Sequence, residues 1–452
     1  MNIKDDFILS QINEGYLVGG AIRDFLMGKF SFDRDIAIKD AECFAKRMAE
    51  KFDATFIVLD EENKIYRLVL QDKINYLDIS ELCGQSIEED LLRRDFTINA
   101  IAYDLKKENF VDVTGGLKDL EFGVLRHIKD ENFKDDPLRV LRAFRFMAVT
   151  GFEMDKNLKE AIEKYKSLLI NPAKERVIYE LMKLFGGKDT SKALLEMDKY
   201  GILEMFFPQV AEMKKVPPNS HHHLGLFQHV VESVRNVEEL YLNSSEEVKE
   251  HLDKVDFGGF ARINHLKLAT FLHDIGKFST WTIDDDGRNR FIKHDDIGAK
   301  LCKTLLQDLK FSKKQIRYIS KMIKYHMYPS SVLLAPDLNE KVLMRYLRKM
   351  EDDVIDNIIL AKADRLSANG VDVTEKMVRD NIEGLNKLLN FYLEKRVSMQ
   401  PLPKLLDGNE IMSLKDIQQS PLLGKIIKAL NEAQLNGDVV TKEDAISFVR
   451  RF

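Results

Sequence analysis

At 452 residues, 44% hydrophobic and 32% charged, the chain exceeds the size at which a single core stops growing and predicts three or four domains. That composition, with only 10 Pro, excludes a disordered or collagen-like chain and favours helix. A formal charge of -5 argues against nonspecific coating of nucleic acid, yet leaves room for a local basic face that tracks a phosphate backbone.

Cys43, Cys83 and Cys302 lie far apart with no Cys-x-x-Cys, so neither a disulfide framework nor a thiolate zinc site is indicated, and a reducing cytoplasm fits. The opening MNIKDDFILS lacks an apolar core segment, and no stretch approaches about eighteen uncharged apolar residues. The chain is therefore expected to be cytoplasmic, neither secreted nor in a membrane. The triplet His221, His222 and His223 lies mid-chain before helical periodicity and reads as native sequence.

In chain order, residues 1–128 alternate β-branched runs (GYLVGG, DRDIAI, FIVLD, IYRLVL, INYLDIS) with helical ones, the pattern of a small α/β domain. Residues 129–214 change to helical spacing, with Leu138, Leu141, Phe144, Phe146 and Met147, then Ile178, Leu181, Met182 and Leu184. The break KKVPPNS, from Lys214 to Ser220, cannot continue a helix. Residues 215–370 carry His- and Asp-rich helices, and residues 371–452 read as helices broken at MQPLPK, DGNE and NGD.

The first candidate site lies near the N-terminus. A strand ends in Gly19-Gly20 and opens into a helix carrying Arg23, so backbone N–H groups can face a phosphate. Asp33 and Asp35, in Asp33-Arg34-Asp35, start a strand whose alternation puts both carboxylates on one face, about 7 Å apart. Such a pair suits Mg²⁺, which takes oxygen ligands and couples to nucleotide phosphates. Asp78, in another apolar run, could complete the site from a neighbouring strand. Arg93, Arg94, Asp95 and Asn99 then place two guanidinium groups beside a carboxylate and an amide, suited to a triphosphate and a ribose.

Glycine turn, helix, Asp-x-Asp strand and later carboxylate together resemble the nucleotidyltransferase domain of the DNA polymerase β superfamily. The run from Arg93 to Ala100 resembles the RRDFTxNA motif of class II tRNA nucleotidyltransferases and bacterial poly(A) polymerases, and Asp112 to Leu120 resembles their next motif, which links head and neck. The run from Asp135 to Phe146 resembles the family's ED-x-x-R motif, with Asp135 where Glu is usual. Asp136 and Arg139, three apart, can project together from a helix start. Cytosine and adenine both offer an amino donor beside a ring-nitrogen acceptor, whereas uracil and guanine offer a carbonyl beside an N–H. An Asp and Arg pair therefore fits C and A. Asp136 before Pro137 also reads as a helix cap, a compatible role. Arg142 and Arg145 extend the basic face, and Glu175, Arg176 and Glu180 resemble the last, helical motif and are expected to brace the neck.

His229, His273, Asp274 and Asp364 follow the order of the HD phosphohydrolase superfamily, each in a helical run, with His294 and His326 able to extend the set toward a second divalent ion. The C-terminal segment, with Leu405 to Glu410 and Glu432 to Gly437, is similar to the tails of HD-containing members, where it would contact tRNA; it departs at Ser420-Pro421, where Gly-Pro is expected. Asp60 to Arg67 does not match the flexible loop that the family associates with switching from C to A.

The resemblance implies an α+β N-terminal nucleotidyltransferase head followed by an all-α neck, an HD body and a helical tail. It implies a Mg²⁺-dependent enzyme that adds C and A from CTP and ATP to the tRNA 3′ end and releases pyrophosphate, Asp33, Asp35 and Asp78 forming the catalytic group. The remaining readings are a CC-only or A-only enzyme, a poly(A) polymerase, or an HD phosphohydrolase whose head binds nucleotide. No protein partner is legible.

Overall fold

The computed structural model describes residues 3–29, 34–220, 222–396 and 403–452. It forms two compact units, Met1–Pro208 and Gln209–Phe452.

The first unit opens with a seven-stranded mixed sheet in the order β3-β4-β5-β2-β1-β6-β7. Its strands are β1 (Tyr16–Val18), β2 (Asp35–Ile38), β3 (Thr55–Asp60), β4 (Ile65–Val69), β5 (Tyr76–Glu81), β6 (Ile101–Asp104) and β7 (Asn109–Asp112). Only β2 and β5 run parallel, and their register sets Asp35 opposite Asp78. Helices α1 (Gly20–Leu26), α2 (Ala41–Phe52), α3 (Ile87–Leu92) and α4 (Gly116–Phe122) complete the head.

Alternation along the strands decides which face carries chemistry. Leu17, Ile36, Ile38, Leu77 and Ile79 join Phe44, Ala45 and Met48 of α2 in one core cluster. Period two then turns Asp35, Ala37 and Asp78 to the other face, where Ala37 packs with Val18, Leu91, Ala100 and Ala102.

A helical segment follows: α5 (Glu131–Asp135), α6 (Leu138–Thr150), α7 (Lys156–Tyr165), α8 (Lys174–Phe185), α9 (Thr190–Lys199) and α10 (Ile202–Phe206), with one parallel bridge between β8 (Val124–Leu125) and β9 (Glu153–Met154). The apolar spacing read from Leu138 to Met147 is realised in α6, which also buries Val140, Ala143 and Ala148 and packs on α8 and α9. This helix is hydrophobic on most sides because it is a core helix, and its arginines therefore sit at the margins of packed surface.

The second unit holds α11 (Val210–Met213), α12 (Leu226–Leu242), α13 (Glu246–Asp253), α14 (Arg262–Leu272), α15 (Lys277–Thr280), α16 (His294–Asp308), α17 (Lys313–Tyr325), α18 (Tyr328–Leu333), α19 (Glu340–Met350), α20 (Val354–Ser367) and α21 (Glu375–Lys395). Two ribbons, β10 (Val255–Phe257) with β11 (Phe260–Ala261) and β12 (Trp281–Ile283) with β13 (Asn289–Phe291), lie between the expected His- and Asp-rich helices. Helices α22 (Gly408–Lys415), α23 (Pro421–Asn436) and α24 (Lys442–Arg451) enclose a cluster of their own, including Ile411, Ile426, Leu430 and Val449. Ser420-Pro421 starts α23, the position where proline's missing N–H costs nothing. The α+β head and helical remainder are as expected, and no helix among the described residues is long and apolar enough to cross a membrane.

Candidate functional site

The glycine turn and the Asp35 strand meet. Gly19 adopts φ 76°, a conformation that favours glycine, and α1 begins at Gly20. A Cβ on Gly19 would lie 3.0 Å from Asp35 Oδ2 and 3.6 Å from Arg94 Nη1, so the bare backbone leaves a cradle beside that carboxylate. Asp33 lies outside the described residues, as does His221. Asp78, opposite Asp35, is engaged from the other side: both of its oxygens accept from Arg67 of β4, at 2.7 and 2.6 Å, and Arg67 lies over the Tyr76 ring.

Around this strand pair the arginines form one connected set. Arg23, buried in α1, donates to Asn99 Oδ1 at 2.8 Å, and Asn99 Nδ2 donates to Asp95 Oδ1 at 3.0 Å. Asp95 Oδ1 also accepts from the Phe96 N–H, and Oδ2 accepts from Arg142 Nε and Nη2 at 2.8 and 2.6 Å. Each oxygen thus has two donors, which fills the carboxylate's capacity. A ribose hydroxyl could bond Asp95 only by displacing one of them. Burial pushes the Asp95 carboxyl up, but Arg142, Asn99 and the Phe96 N–H outweigh it and hold the group below the usual range. Arg142 Nη1 and Arg145 Nη1 both reach Glu180 of α8, and Arg23, Arg142 and Arg145 all lie over the Phe146 ring, at 5.1, 5.4 and 4.1 Å. Burial and the Arg142 charge push Arg145 down to about 10, so it stays cationic at neutral pH. Arg94 pairs with Asp90, while the Arg93 side chain is exposed.

Asp136 and Arg139 are held by different elements. Asp136, extended before Pro137 as proline requires, accepts the Leu138 N–H on Oδ1 at 3.2 Å and Arg176 Nη2 of α8 on Oδ2 at 2.8 Å. Arg139 donates from Nη1 to the Asn132 carbonyl and from Nη2 to the Arg93 carbonyl, at 3.0 and 2.8 Å. Among the described residues the two side chains bond to other groups rather than to each other, and each keeps an anchored edge and further bonding capacity. The capping role is realised in part, through the Leu138 N–H.

In the second unit His229, His273, Asp274 and Asp364 present ligand atoms all within 4.8 Å of one another, and Asp274, His294 and His326 form a second such group. Asp274 belongs to both: Oδ2 lies 3.3 Å from His229 Nε2 and 3.4 Å from His273 Nε2, while Oδ1 lies 3.3 Å from His294 Nε2 and 3.7 Å from His326 Nε2. Backbone carbonyls of Thr270, Phe291 and Ile323 accept from Nδ1 of His273, His294 and His326, and Ser367 Oγ holds Nδ1 of His229, so every ring turns Nε2 inward. That is how metal-ligating imidazoles are oriented. His229 Nε2, His273 Nε2 and Asp274 Oδ1 are buried with no hydrogen-bond partner, while Asp274 Oδ2 also faces the Lys277 ammonium. Buried polar atoms are nearly always satisfied, so this set fits a divalent cation. Gly276 of the HDIGK run allows close packing, since a Cβ there would lie 2.0 Å from the His294 carbonyl oxygen.

Three features escaped the sequence reading. Glu180 is buried and pairs with two arginines, a stronger tie than a brace along the neck. Lys277 Nζ lies 2.6 Å from Asp274 Oδ2, and His222, half-buried beside it, meets His229 edge-on at 4.4 Å. Asp112 caps the motif after it, accepting from the N–H groups of Thr114, Gly115, Gly116 and Leu117. Only the last carries a sequence signal, an Asp followed by a Gly pair at a helix start.

A polymerase-type sheet joined to an HD cluster defines a nucleotidyltransferase with an HD unit. Residues 15–126 match the poly A polymerase head domain, 151–214 the probable RNA and SrmB-binding site of polymerase A, and 226–369 the HD domain. The CC-adding tRNA nucleotidyltransferase of Thermus thermophilus is 30% identical, covering 98% of this chain and 95% of its own. The A-adding tRNA nucleotidyltransferase of Deinococcus radiodurans is 31% identical, covering 96% and 95%. Among solved structures, the Thermotoga maritima CCA-adding enzyme complexed with tRNA matches with TM-score 0.53 at 21% identity, over 98% of this chain and 92% of that one. The chain belongs to the tRNA nucleotidyltransferase family. Nucleotidyltransferase and HD families use divalent metals.

Proposed function

We propose that this enzyme extends the tRNA 3′ end without a nucleic-acid template, taking C from CTP and A from ATP and releasing pyrophosphate. Asp33 and Asp35 would hold Mg²⁺, with Asp78 completing the group from the adjacent strand. When bound, the cation neutralises the triphosphate and polarises the phosphate under attack. The Gly19-Gly20 backbone lets the triphosphate approach without a side chain in the way, and Arg93, Arg94 and the Arg23, Arg142 and Arg145 group supply positive charge along it. Asp136 accepts from the base amino group while Arg139 donates to the ring nitrogen.

The observation that carries this reading is the Asp136 and Arg139 arrangement. An acceptor and a donor, three residues apart, are each anchored by bonds that leave capacity for a base edge. In the HD unit His229, His273, Asp274 and Asp364 would hold a divalent cation, and His294 and His326 would extend the set toward a second. Residues 371–452 are assigned to tRNA contact, and the four segments 1–128, 129–214, 215–370 and 371–452 to head, neck, HD body and tail.

The deciding experiment is incorporation of labelled CTP and ATP with Mg²⁺ into tRNA transcripts ending before CCA, after C and after CC. Ordered addition of C, C and A is the expected result. Stopping after CC, or extending only the CC-ended transcript, would place the enzyme with relatives named CC-adding or A-adding. A long A ladder would indicate poly(A) synthesis, and no incorporation would overturn the reading.

A further inference from the structure

The two halves of the base-reading pair are held from different places, and that asymmetry has a functional consequence. Arg139 is fixed by main-chain carbonyls of Asn132 and Arg93. Asp136 is fixed on one oxygen by the Leu138 N–H and on the other by a single long side chain, Arg176, from a helix distant in sequence. Arg176 is 60% exposed and reaches only with its terminal nitrogen, whereas its neighbour on the same helix, Glu180, is buried against Arg142 and Arg145. The helix α8 therefore has two roles: one turn holds the cluster of arginines, and the turn before it touches the acceptor of the base-reading pair.

We infer that Arg176 is a positioning residue for nucleotide selection, holding the Asp136 carboxylate in the orientation that accepts an exocyclic amino group and turns away a carbonyl. This rests on the assignment of Asp136 and Arg139 as the base-reading pair. The physical argument concerns rotation about the Asp136 side chain. With Oδ2 bound to Arg176 and Oδ1 to the backbone, the carboxylate plane is set at two points, and a uracil O4 or guanine O6 brought against it meets an acceptor that cannot move aside. Released from Arg176, the carboxylate keeps only one bond and can swing to relieve that repulsion. Selection against U and G then weakens, while Arg139, anchored elsewhere, still binds every base that offers it an acceptor. The pairing also delocalises part of the Asp136 charge toward Arg176, so its loss leaves a carboxylate that is better solvated and less committed to the base.

The test compares Arg176→Ala, Arg176→Lys and Asp136→Ala in the full-length enzyme, measuring kcat and KM for CTP, ATP, UTP and GTP on transcripts ending before CCA and after CC, with thermal melting of each variant. The expected result is a rise of roughly fivefold in relative use of UTP and GTP for Arg176→Ala, within the range for a partly exposed charge pair. Arg176→Lys, which keeps one charged donor, restores most of the discrimination, and the melting temperature of the two Arg176 variants stays near that of the unaltered enzyme. Equal losses for all four nucleotides, or unchanged discrimination in Arg176→Ala, would overturn the inference. If the unaltered enzyme itself fails to prefer CTP and ATP, or Asp136→Ala leaves preference intact, the base-reading assignment falls first and the role of Arg176 falls with it.

Discussion

The nucleotide site of the head and the His and Asp cluster of the HD unit both gather carboxylates, but they treat those charges in opposite ways. In the head and neck Asp78, Asp90, Asp95 and Glu180 each face a guanidinium, through Arg67, Arg94, Arg142 and Arg145. In the HD cluster Asp274 and Asp364 face imidazole edges and, for Asp274 Oδ2, one lysine, with Asp274 Oδ1 and the Nε2 atoms of His229 and His273 left without a hydrogen bond. Arginine presents a fixed fork of donors and cannot give up its proton, which suits a surface that receives phosphates. Neutral imidazole and carboxylate suit a cation. The same acidic residue type thus serves either to set arginines in place or to ligate metal, according to what stands opposite.

The contrast breaks most sharply at Asp33 and Asp35. Asp33→Ala with Asp35→Ala is expected to lower nucleotide incorporation by about 10³-fold or more, since metal-assisted charge stabilisation contributes several kcal/mol and each 1.36 kcal/mol is tenfold. Divalent metal retained by the HD unit should be unchanged. Incorporation persisting near the unaltered rate, read on the same gels, would remove the two residues from the catalytic group.

Next in size is Asp95. Replacing it with Asn leaves Arg142 with a neutral partner in a mostly buried place, and breaking such a pair costs about 3 kcal/mol. Because the folded-state value of Asp95 is depressed, its contribution is complete above the carboxylate range and is lost as pH falls through the lowered value. The difference in unfolding free energy between the unaltered protein and Asp95→Asn should therefore be flat at neutral pH and shrink below pH about 4. Denaturant titrations at several pH values measure it.

The HD side yields a smaller, different signature. Stripping divalent metal removes a ligand of the folded state alone and leaves Asp274 Oδ1 and the Nε2 atoms of His229 and His273 buried without a hydrogen bond, so a chelator is expected to lower the melting temperature by several degrees, the size of ligand stabilisation at saturating metal. His273→Ala with Asp274→Ala should abolish both the response to chelator and the metal found in the purified protein. A chelator shift that survives in the double variant would point to metal held elsewhere.

What could be read in the sequence divides along the same line. Asp35 and Asp78 announce themselves because strand alternation and apolar runs predict which side chains share a face, and the structure sets them opposite each other. The set His229, His273, Asp274 and Asp364 is visible through its resemblance to the order of the HD superfamily, and the structure gathers them. The pairing of Arg142 with both Asp95 and Glu180 was not visible, because it joins residues 47 and 38 positions apart on separate elements, and nothing in local periodicity reports which of several arginines meets which acid. Ser367 behind His229 was hidden for the same reason. Contacts set by tertiary packing leave no local pattern.

The finest test of the comparison is the Arg67 and Asp78 pair, where the two treatments meet on one strand. Both side chains are partly exposed, at 35% and 20%, so breaking the pair should change stability by no more than about 1 kcal/mol. If Asp78 belongs to the catalytic group, Asp78→Asn should slow incorporation by about tenfold, worth the 1.36 kcal/mol of a tenfold change, while Arg67→Ala, which leaves the carboxylate in place, should slow it far less. If instead Asp78 exists to seat Arg67 against the triphosphate, the order reverses: Arg67→Ala raises KM for CTP and ATP, and Asp78→Asn follows it only weakly. Steady-state kinetics of the two single variants at saturating tRNA separate the cases, because the first outcome moves kcat and the second moves KM.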